Sequence, residues 1–241
     1  MIPASVESIG QGAFVNANKL TKVTFVAGSQ LTSIGENVFK GATGLTSITI
    51  PNTVIDISNN AFQGAINLTK VTFAQDSSLN SIGANAFYGA TSLPSITIPN
   101  KVTYIGDSAF NGAINLTTVT FAQDSSLNSI GANAFYGATS LPSITIPNKV
   151  THIGDYAFYK TNKLTEIKVE SGNNVYSSVD GVLFNIKKTT LIQYPIGNTQ
   201  TRYTIPNTVT TIGSGAFFGC LKLISITYLV FKCKIALPPK L

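Results

Sequence analysis

Residues 71–103, VTFAQDSSLNSIGANAFYGATSLPSITIPNKVT, return unchanged at residues 119–151, and the first difference is Tyr104 against His152. Identity over such a length points to a recent duplication or a consensus design, and marks the chain as internally periodic. The pair Ile-Gly recurs at Ile9, Ile34, Ile82, Ile105, Ile130, Ile153 and Ile212, while Ile57 holds the same column with Ser58 after it. From Ile9 to Ile153 the intervals run 25, 23, 25, 23, 25, 23. Phe14, Phe39, Phe62, Phe87, Phe110, Phe135 and Phe158 keep the same beat. Two unit lengths therefore alternate, and a pair forms a 48-residue double unit.

One unit reads L-T-x-I-T-I-P-N-x-V-T-x-I-G-x-x-A-F-x-G-A. Its first half, Leu45 to Pro51, alternates Ile48 and Ile50 with Ser47 and Thr49. That period of two predicts a short strand with one buried face. Pro51, Pro99, Pro147 and Pro206 end such strands, because proline offers no N–H to a ladder. In the longer units, Ala74-Gln75-Asp76-Ser77-Ser78 replaces the Pro-Asn exit and supplies the two extra residues. Pro94 and Pro142 sit at the second strand position, so those ladders are expected to start one residue late. The second half, Val102, Ile105, Ala109 and Phe110, carries apolar residues at spacings of three, four and one, which suits an irregular or short helical segment packed on one side. A small column, Ala17, Ala42, Ala65, Ala90, Ala113 and Ala138, leads to the next Leu. Cys220 falls in this column and reads as a small buried hydrophobe.

Composition narrows the function classes. Of 241 residues, 44% are hydrophobic, enough for a core, and only 11% are charged, less than half the usual share. Thr, Ser and Asn together make up 72 residues, which predicts a surface of hydroxyls and amides. No apolar run approaches a membrane span, and no basic start with an apolar run marks a signal peptide. The net charge of +6 is uneven: residues 1–159 sum to −1 and residues 160–241 to +7. Lys160, Lys163, Lys168, Lys187, Lys188, Arg202 and Lys222 are scattered and form no dense stripe with interleaved aromatics, so nucleic acid is not an expected partner.

A lone unit buries too little apolar surface to offset the ordering of its backbone. Stacked units share ladder hydrogen bonds and core columns, so the pattern demands a solenoid with parallel strands and a continuous phenylalanine spine. The run L-T-S-I-T-I-P-N-T-V followed by I-G-x-x-A-F-x-G-A/C resembles the BspA-like (Treponema pallidum-type) leucine-rich repeat over nearly the whole chain, Ile2 to Tyr228. The resemblance implies an α/β repeat solenoid: a right-handed horseshoe with a parallel β-sheet on its concave face and short helical or irregular segments on the convex side. It also implies surface or secreted proteins that serve as adhesins or interaction modules, without catalytic residues. On this reading residues 1–228 form the solenoid in about eight to nine coils, and residues 229–241 form an atypical C-terminal tail or cap.

Residues 175–195 depart from the repeat. Apolar runs on either side of Asn185-Ile186-Lys187-Lys188-Thr189 predict a β-hairpin with a polar turn. Asp-Gly-Val-Leu-Phe insertions of this kind also resemble those of the same family. The N-terminus enters in mid-repeat, and bare solenoid ends would invite end-to-end self-association.

No catalytic or metal-binding constellation appears. His152 is the only histidine, which rules out a His–His pair within one chain, and Tyr104 at the equivalent place of the preceding double unit makes it a variable, partly exposed position and not a catalytic base. Cys220 and Cys233 lie 13 residues apart without a CxxC, so zinc is not expected, and they would pair only outside a reducing compartment. The glycines follow the repeat and match no phosphate-binding pattern. Asp107 and Asp155 read as turn caps, with a calcium array as the open alternative. No cofactor is expected. The tripeptides Asn67-Leu68-Thr69 and Asn115-Leu116-Thr117 match the glycosylation pattern but arise from the repeat itself.

The remaining candidate site is the concave face. Its strand positions are Lys22 and Thr24, Ser47 and Thr49, Lys70 and Thr72, Ser95 and Thr97, Thr118 and Thr120, Ser143 and Thr145, Glu166 and Lys168. They form a ladder of small hydroxyls suited to a protein or glycan ligand. Tyr88, Tyr136, Tyr159 and Phe218, each following the Ala-Phe pair, are candidate aromatic anchors. A structural, self-assembling surface repeat is the alternative function. Ice binding through threonine columns is a weaker one.

Overall fold

A computed structural model describes residues 1–228, and the expected cap at 229–241 lies outside the described residues, as does Cys233. The strands in chain order are β1 (Ser8–Ile9), β2 (Ser33–Ile34), β3 (Ser47–Ile50), β4 (Asp56–Ile57), β5 (Lys70–Phe73), β6 (Ser81–Ile82), β7 (Ser95–Ile98), β8 (Tyr104–Ile105), β9 (Thr118–Phe121) and β10 (Ser129–Ile130). They continue with β11 (Ser143–Ile146), β12 (His152–Ile153), β13 (Glu166–Val169), β14 (Tyr176–Val179), β15 (Val182–Asn185), β16 (Thr190–Gln193), β17 (Arg202–Ile205), β18 (Thr211–Ile212) and β19 (Ser225–Tyr228). Together they build a parallel β-solenoid of leucine-rich-repeat type with about ten turns, where eight to nine coils were expected.

The continuous sheet is built by the shorter strands. The two-residue x-Ile strands before each Ile-Gly glycine join in the order β1-β2-β4-β6-β8-β10-β12, all in parallel and in register, Ile9 to Ile34 to Ile57 and on to Ile153. Gly83 shows why a glycine follows the isoleucine. A Cβ built there would lie 2.7 Å from the Asn59 backbone nitrogen and 2.7 Å from the Ser58 carbonyl carbon, so successive backbones could not close up. Outside the insertion, the four-residue strands pair only two by two: β3 with β5, β7 with β9, β11 with β13, β17 with β19. This corrects both the expectation of one unbroken sheet on that face and the late-starting ladders. Thr69, Thr117 and Thr165 each donate their N–H to the preceding coil, to Thr46, Pro94 and Pro142. Pro94 and Pro142 hold the same place in their own coils and have no N–H to give, and each follows a long-exit strand. The threonine columns are therefore not an unbroken ladder of the kind that ice binding needs.

The described residues contain no helix, which corrects the helical segments expected on the convex side. These segments hold pairs of residues in the left-handed region, for example Asn85 (φ 54°) and Gly89 (φ 69°), which a right-handed helix cannot contain. Alternate N–H groups then donate to the next coil, as from Asn60 to Ala84, Phe62 to Ala86 and Gly64 to Tyr88, while the intervening ones close tight turns. The hydrogen bonds that a helix would make within itself are made between neighbours.

Inside, seven phenylalanines from Phe14 to Phe158 stack with ring centroids 5.1 to 5.9 Å apart and planes within 15° of parallel. Phe39 to Phe135 are fully buried among the Ile, Leu, Val and Ala columns. After Phe158 the insertion takes the place of one coil. The expected hairpin is present as β15 and β16, and β14 adds a third antiparallel strand to it. The turn into that additional strand pair is Asp180-Gly181, with φ of 50° and 79°. β16 then pairs in parallel with β18, and Tyr194 donates its N–H to Ala216 just as Phe135 donates to Ala157. The Tyr194 ring sits in a second, smaller core with Val182, Phe184, Leu191 and Ala216.

Two stability measurements follow from this packing. Phe87→Ala, in mid-spine, should cost about 3–5 kcal/mol in denaturant unfolding, and Phe14→Ala, half-buried at the end of the spine, less than half of that. The buried Tyr194 hydroxyl has no hydrogen-bond partner among the described residues. Removing a buried unpaired hydroxyl lifts a desolvation cost, so Tyr194→Phe should hold or raise stability, by about 1 kcal/mol, in the same assay.

Candidate functional site

The strand face carries the candidate residues as the period of two requires. Lys22, Thr24, Thr49, Lys70, Ser95, Thr97, Thr118, Thr120, Ser143, Thr145 and Lys168 are exposed, and Ser47, Thr72 and Glu166 are half-exposed. Between them Ile48, Ile96 and Ile144 point into the core. Glu166 and Lys168 meet each other at 2.7 Å, a surface pair of small energetic weight.

Eight of these residues line two clefts. The first, about 440 Å³, opens between residues 22–26 and β3, and Lys22, Thr24, Ser47 and Thr49 lie on its walls. The second, about 480 Å³, opens between β5 and β7 and holds Lys70, Thr72, Ser95 and Thr97 in the same places. Both occur where a long-exit strand meets the next coil without a full ladder. A buried serine, Ser29 in one and Ser77 in the other, lines each cleft. Each serine hydroxyl accepts the N–H of the leucine two residues on, Leu31 or Leu79. A half-exposed ring, Phe25 or Phe73, completes each cleft. Sequence reasoning missed these serines and rings as site residues. The signal was present: both recur at fixed distances in the long units, where the shorter units carry Pro-Asn.

On the convex side, three of the four candidate aromatics come together. Tyr136 and Tyr159 stack at 5.1 Å, and Tyr159 meets Phe218 at 4.6 Å. Tyr88, two coils before Tyr136, is exposed and stands apart from this group. Two residues not singled out by sequence join the cluster. Tyr156 packs edge-on against Tyr159, and the Lys160 ammonium lies 5.3 Å from the Tyr136 ring centre and 5.9 Å from that of Tyr159. The hydrogen bond and the charge interaction with Tyr136 raise the Lys160 pKa. Tyr156 (φ 58°) and Lys160 (φ 56°) hold the left-handed backbone at positions where other coils carry Asn, Ser or Gly.

Of the other candidates, Asp107 takes a structural role. The Asp107 carboxylate accepts the N–H of Ala132 at 2.8 Å, and Asn59 does the same for Ala84. Among the described residues no three His, Cys, Asp or Glu side chains gather where they could hold a metal ion. His152 lies exposed in β12. Cys220 is half-buried, and burial pushes its thiol up to about 11, which keeps it protonated and unreactive at neutral pH. The Asn67 side chain donates to the Thr43 carbonyl of the preceding coil, which fits a role in the repeat. No helix of the described residues is long and apolar enough to cross a membrane.

Residues 1–92, 67–188 and 196–230 match the BspA type leucine rich repeat region. The chain belongs to this family. Leucine-rich-repeat proteins are typically protein-interaction modules and generally non-catalytic. Among solved structures, the pneumococcal vaccine antigen PcpA is 28% identical, with a TM-score of 0.75 over 94% of this chain and 60% of that one. A leucine rich cell surface protein from Faecalibacterium prausnitzii is 29% identical, with a TM-score of 0.61 over 85% of this chain and 67% of that one. A leucine-rich repeat protein from Eubacterium ventriosum is 26% identical, with a TM-score of 0.60 over 76% of this chain and 55% of that one. This chain thus spans about 60% of the length of the pneumococcal antigen. No curated protein matches it.

The capping role of the aspartate is testable. Asp107→Asn should leave stability nearly unchanged, since Asn59 makes the same bond with an amide oxygen. Asp107→Ala should cost about 1 kcal/mol by leaving the Ala132 N–H unpaired. Added calcium should not move the melting temperature of the unaltered protein; an increase would reinstate the calcium reading.

Proposed function

We propose that the chain is a non-enzymatic binding module of a bacterial cell-surface or secreted protein, and that its ligand, a protein or a glycan, lies along the strand face. The observation that carries this reading is the face itself. A rigid, phenylalanine-backed scaffold holds rows of exposed hydroxyls and lysines at regular intervals, and two clefts open among them. Extended, shallow, polar surfaces of this kind suit ligands that contact several coils at once. Similarity to a leucine rich cell surface protein supports the address.

The convex cluster is a secondary contact in this proposal. Left-handed Tyr156 and Lys160 carry a backbone cost that glycine avoids, and both side chains project into a partly exposed aromatic group. Tyrosines and a cation in such a group are common anchor chemistry at interfaces.

Replacing Thr24, Thr72, Thr120 and Thr145 together by Arg tests the face. Binding to a panel of immobilised matrix proteins and glycans should fall at least tenfold, while circular dichroism and the melting temperature stay close to those of the parent. Equal binding by parent and variant would place the ligand elsewhere.

A further inference from the structure

The two clefts repeat position by position. Lys22 corresponds to Lys70, Phe25 to Phe73 and Ser29 to Ser77, and the facing walls Ser47-Ile48-Thr49 and Ser95-Ile96-Thr97 match likewise. The serines are more than nine-tenths buried. Each accepts a backbone N–H, and its own O–H proton has no acceptor among the described residues. Backbone groups add to this. Lys70 and Ala74 donate their N–H groups to the coil before them, to Thr46 and Ile50. Strand alternation therefore turns the N–H groups of Val71 and Phe73 toward β7, where no ladder receives them. A ligand here meets spare donors and a part-exposed ring, which is the combination that a pyranose, apolar on its face and hydroxylated at its rim, satisfies.

Charge narrows the sugar. Among the described residues the one ion pair is that of Glu166 with Lys168 on β13, so Lys22 and Lys70 reach the cleft rims without a carboxylate partner. At the next junction of the same type, between β9 and β11, Thr118 replaces the lysine. There Glu170 stands where the other two have Ala74 and Ala122, and its carboxylate accepts the Asn148 N–H at 3.0 Å. The cation is lost and an acid is gained together, so the two lysine clefts are the anion-accepting ones. Asp76 lies at the rim of the Lys70 cleft, where the Lys22 cleft has Gly28, so the Lys22 cleft is the more cationic of the two. The clefts lie two coils apart, about 10 Å at the usual strand spacing, a separation of the order of one disaccharide.

We propose that the two clefts are paired subsites for an acidic polysaccharide whose carboxylate recurs once per disaccharide, with Lys22 and Lys70 taking successive carboxylates and Phe25 and Phe73 the sugar faces. This deepens the strand-face reading and rests on it. Two linked weak sites gain from effective concentration, so a polymer should bind far better than one repeat.

Calorimetric titration with hyaluronan decasaccharide, an alternating uronate polymer, tests it on the full chain. The decasaccharide should bind, and the disaccharide at least tenfold more weakly. Lys22→Gln and Lys70→Gln should each weaken the decasaccharide at least tenfold, Lys22→Gln the more, and Thr49→Glu with Thr97→Glu should abolish binding. Melting curves of the variants should match the parent, since all four positions are exposed. Absence of binding, equal binding of carboxyl-reduced decasaccharide, or binding unchanged in the cleft variants would overturn the proposal. If the decasaccharide fails while the fourfold Arg variant still loses a ligand from the matrix panel, this inference falls and the strand-face reading stands.

Discussion

Every element of this solenoid is held in place by contact between one coil and the next. A coil supplies a single ring to the spine, one or two short strands and a set of turns, and none of these is complete by itself. The ring of Phe87 has Phe62 on one side and Phe110 on the other at 5.1 and 5.3 Å. Alternate convex N–H groups find their acceptors in the following coil. Even the glycine after the isoleucine serves the approach of two backbones. Stability in such an array comes from intrinsic and nearest-neighbour terms, and here the neighbour terms dominate.

That dependence also shapes the binding face. The short-exit and long-exit units differ by two residues, and the spine and the x-Ile sheet absorb the difference without a break. The four-residue strands absorb it by separating at alternate junctions. The clefts are thus a consequence of the 25/23 alternation, placed at regular intervals by a scaffold that is itself continuous. In the insertion Leu191 pairs with Ile212 and the Tyr194 ring stacks on Phe217 at 5.3 Å, so the last coils share a second core beyond the end of the spine.

Much of this is legible in the residues. The isoleucine and phenylalanine columns announce the solenoid, and the alternation of Ser47 and Thr49 with Ile48 and Ile50 announces which side chains face out. The convex segments mislead because the spacing of Val102, Ile105, Ala109 and Phe110 fits a helical turn, whereas the competing inter-coil bonds are non-local. The recurring Asn and Gly at the left-handed positions are the local sign against a helix. Asp180-Gly181 is a hairpin signal of the strongest kind, masked by the longer polar turn at 185–189. The clefts are not legible, since whether Pro94 delays a ladder or removes it depends on how far apart two coils settle.

One double unit by itself shows whether a coil can fold without its neighbours. A peptide of residues 71–118 contains a complete 48-residue period, with every core column represented. Far-ultraviolet circular dichroism and amide hydrogen exchange should find it unfolded and unprotected, while the same residues within the full chain are protected. A cooperative thermal transition and protected amides in the isolated peptide would contradict the account.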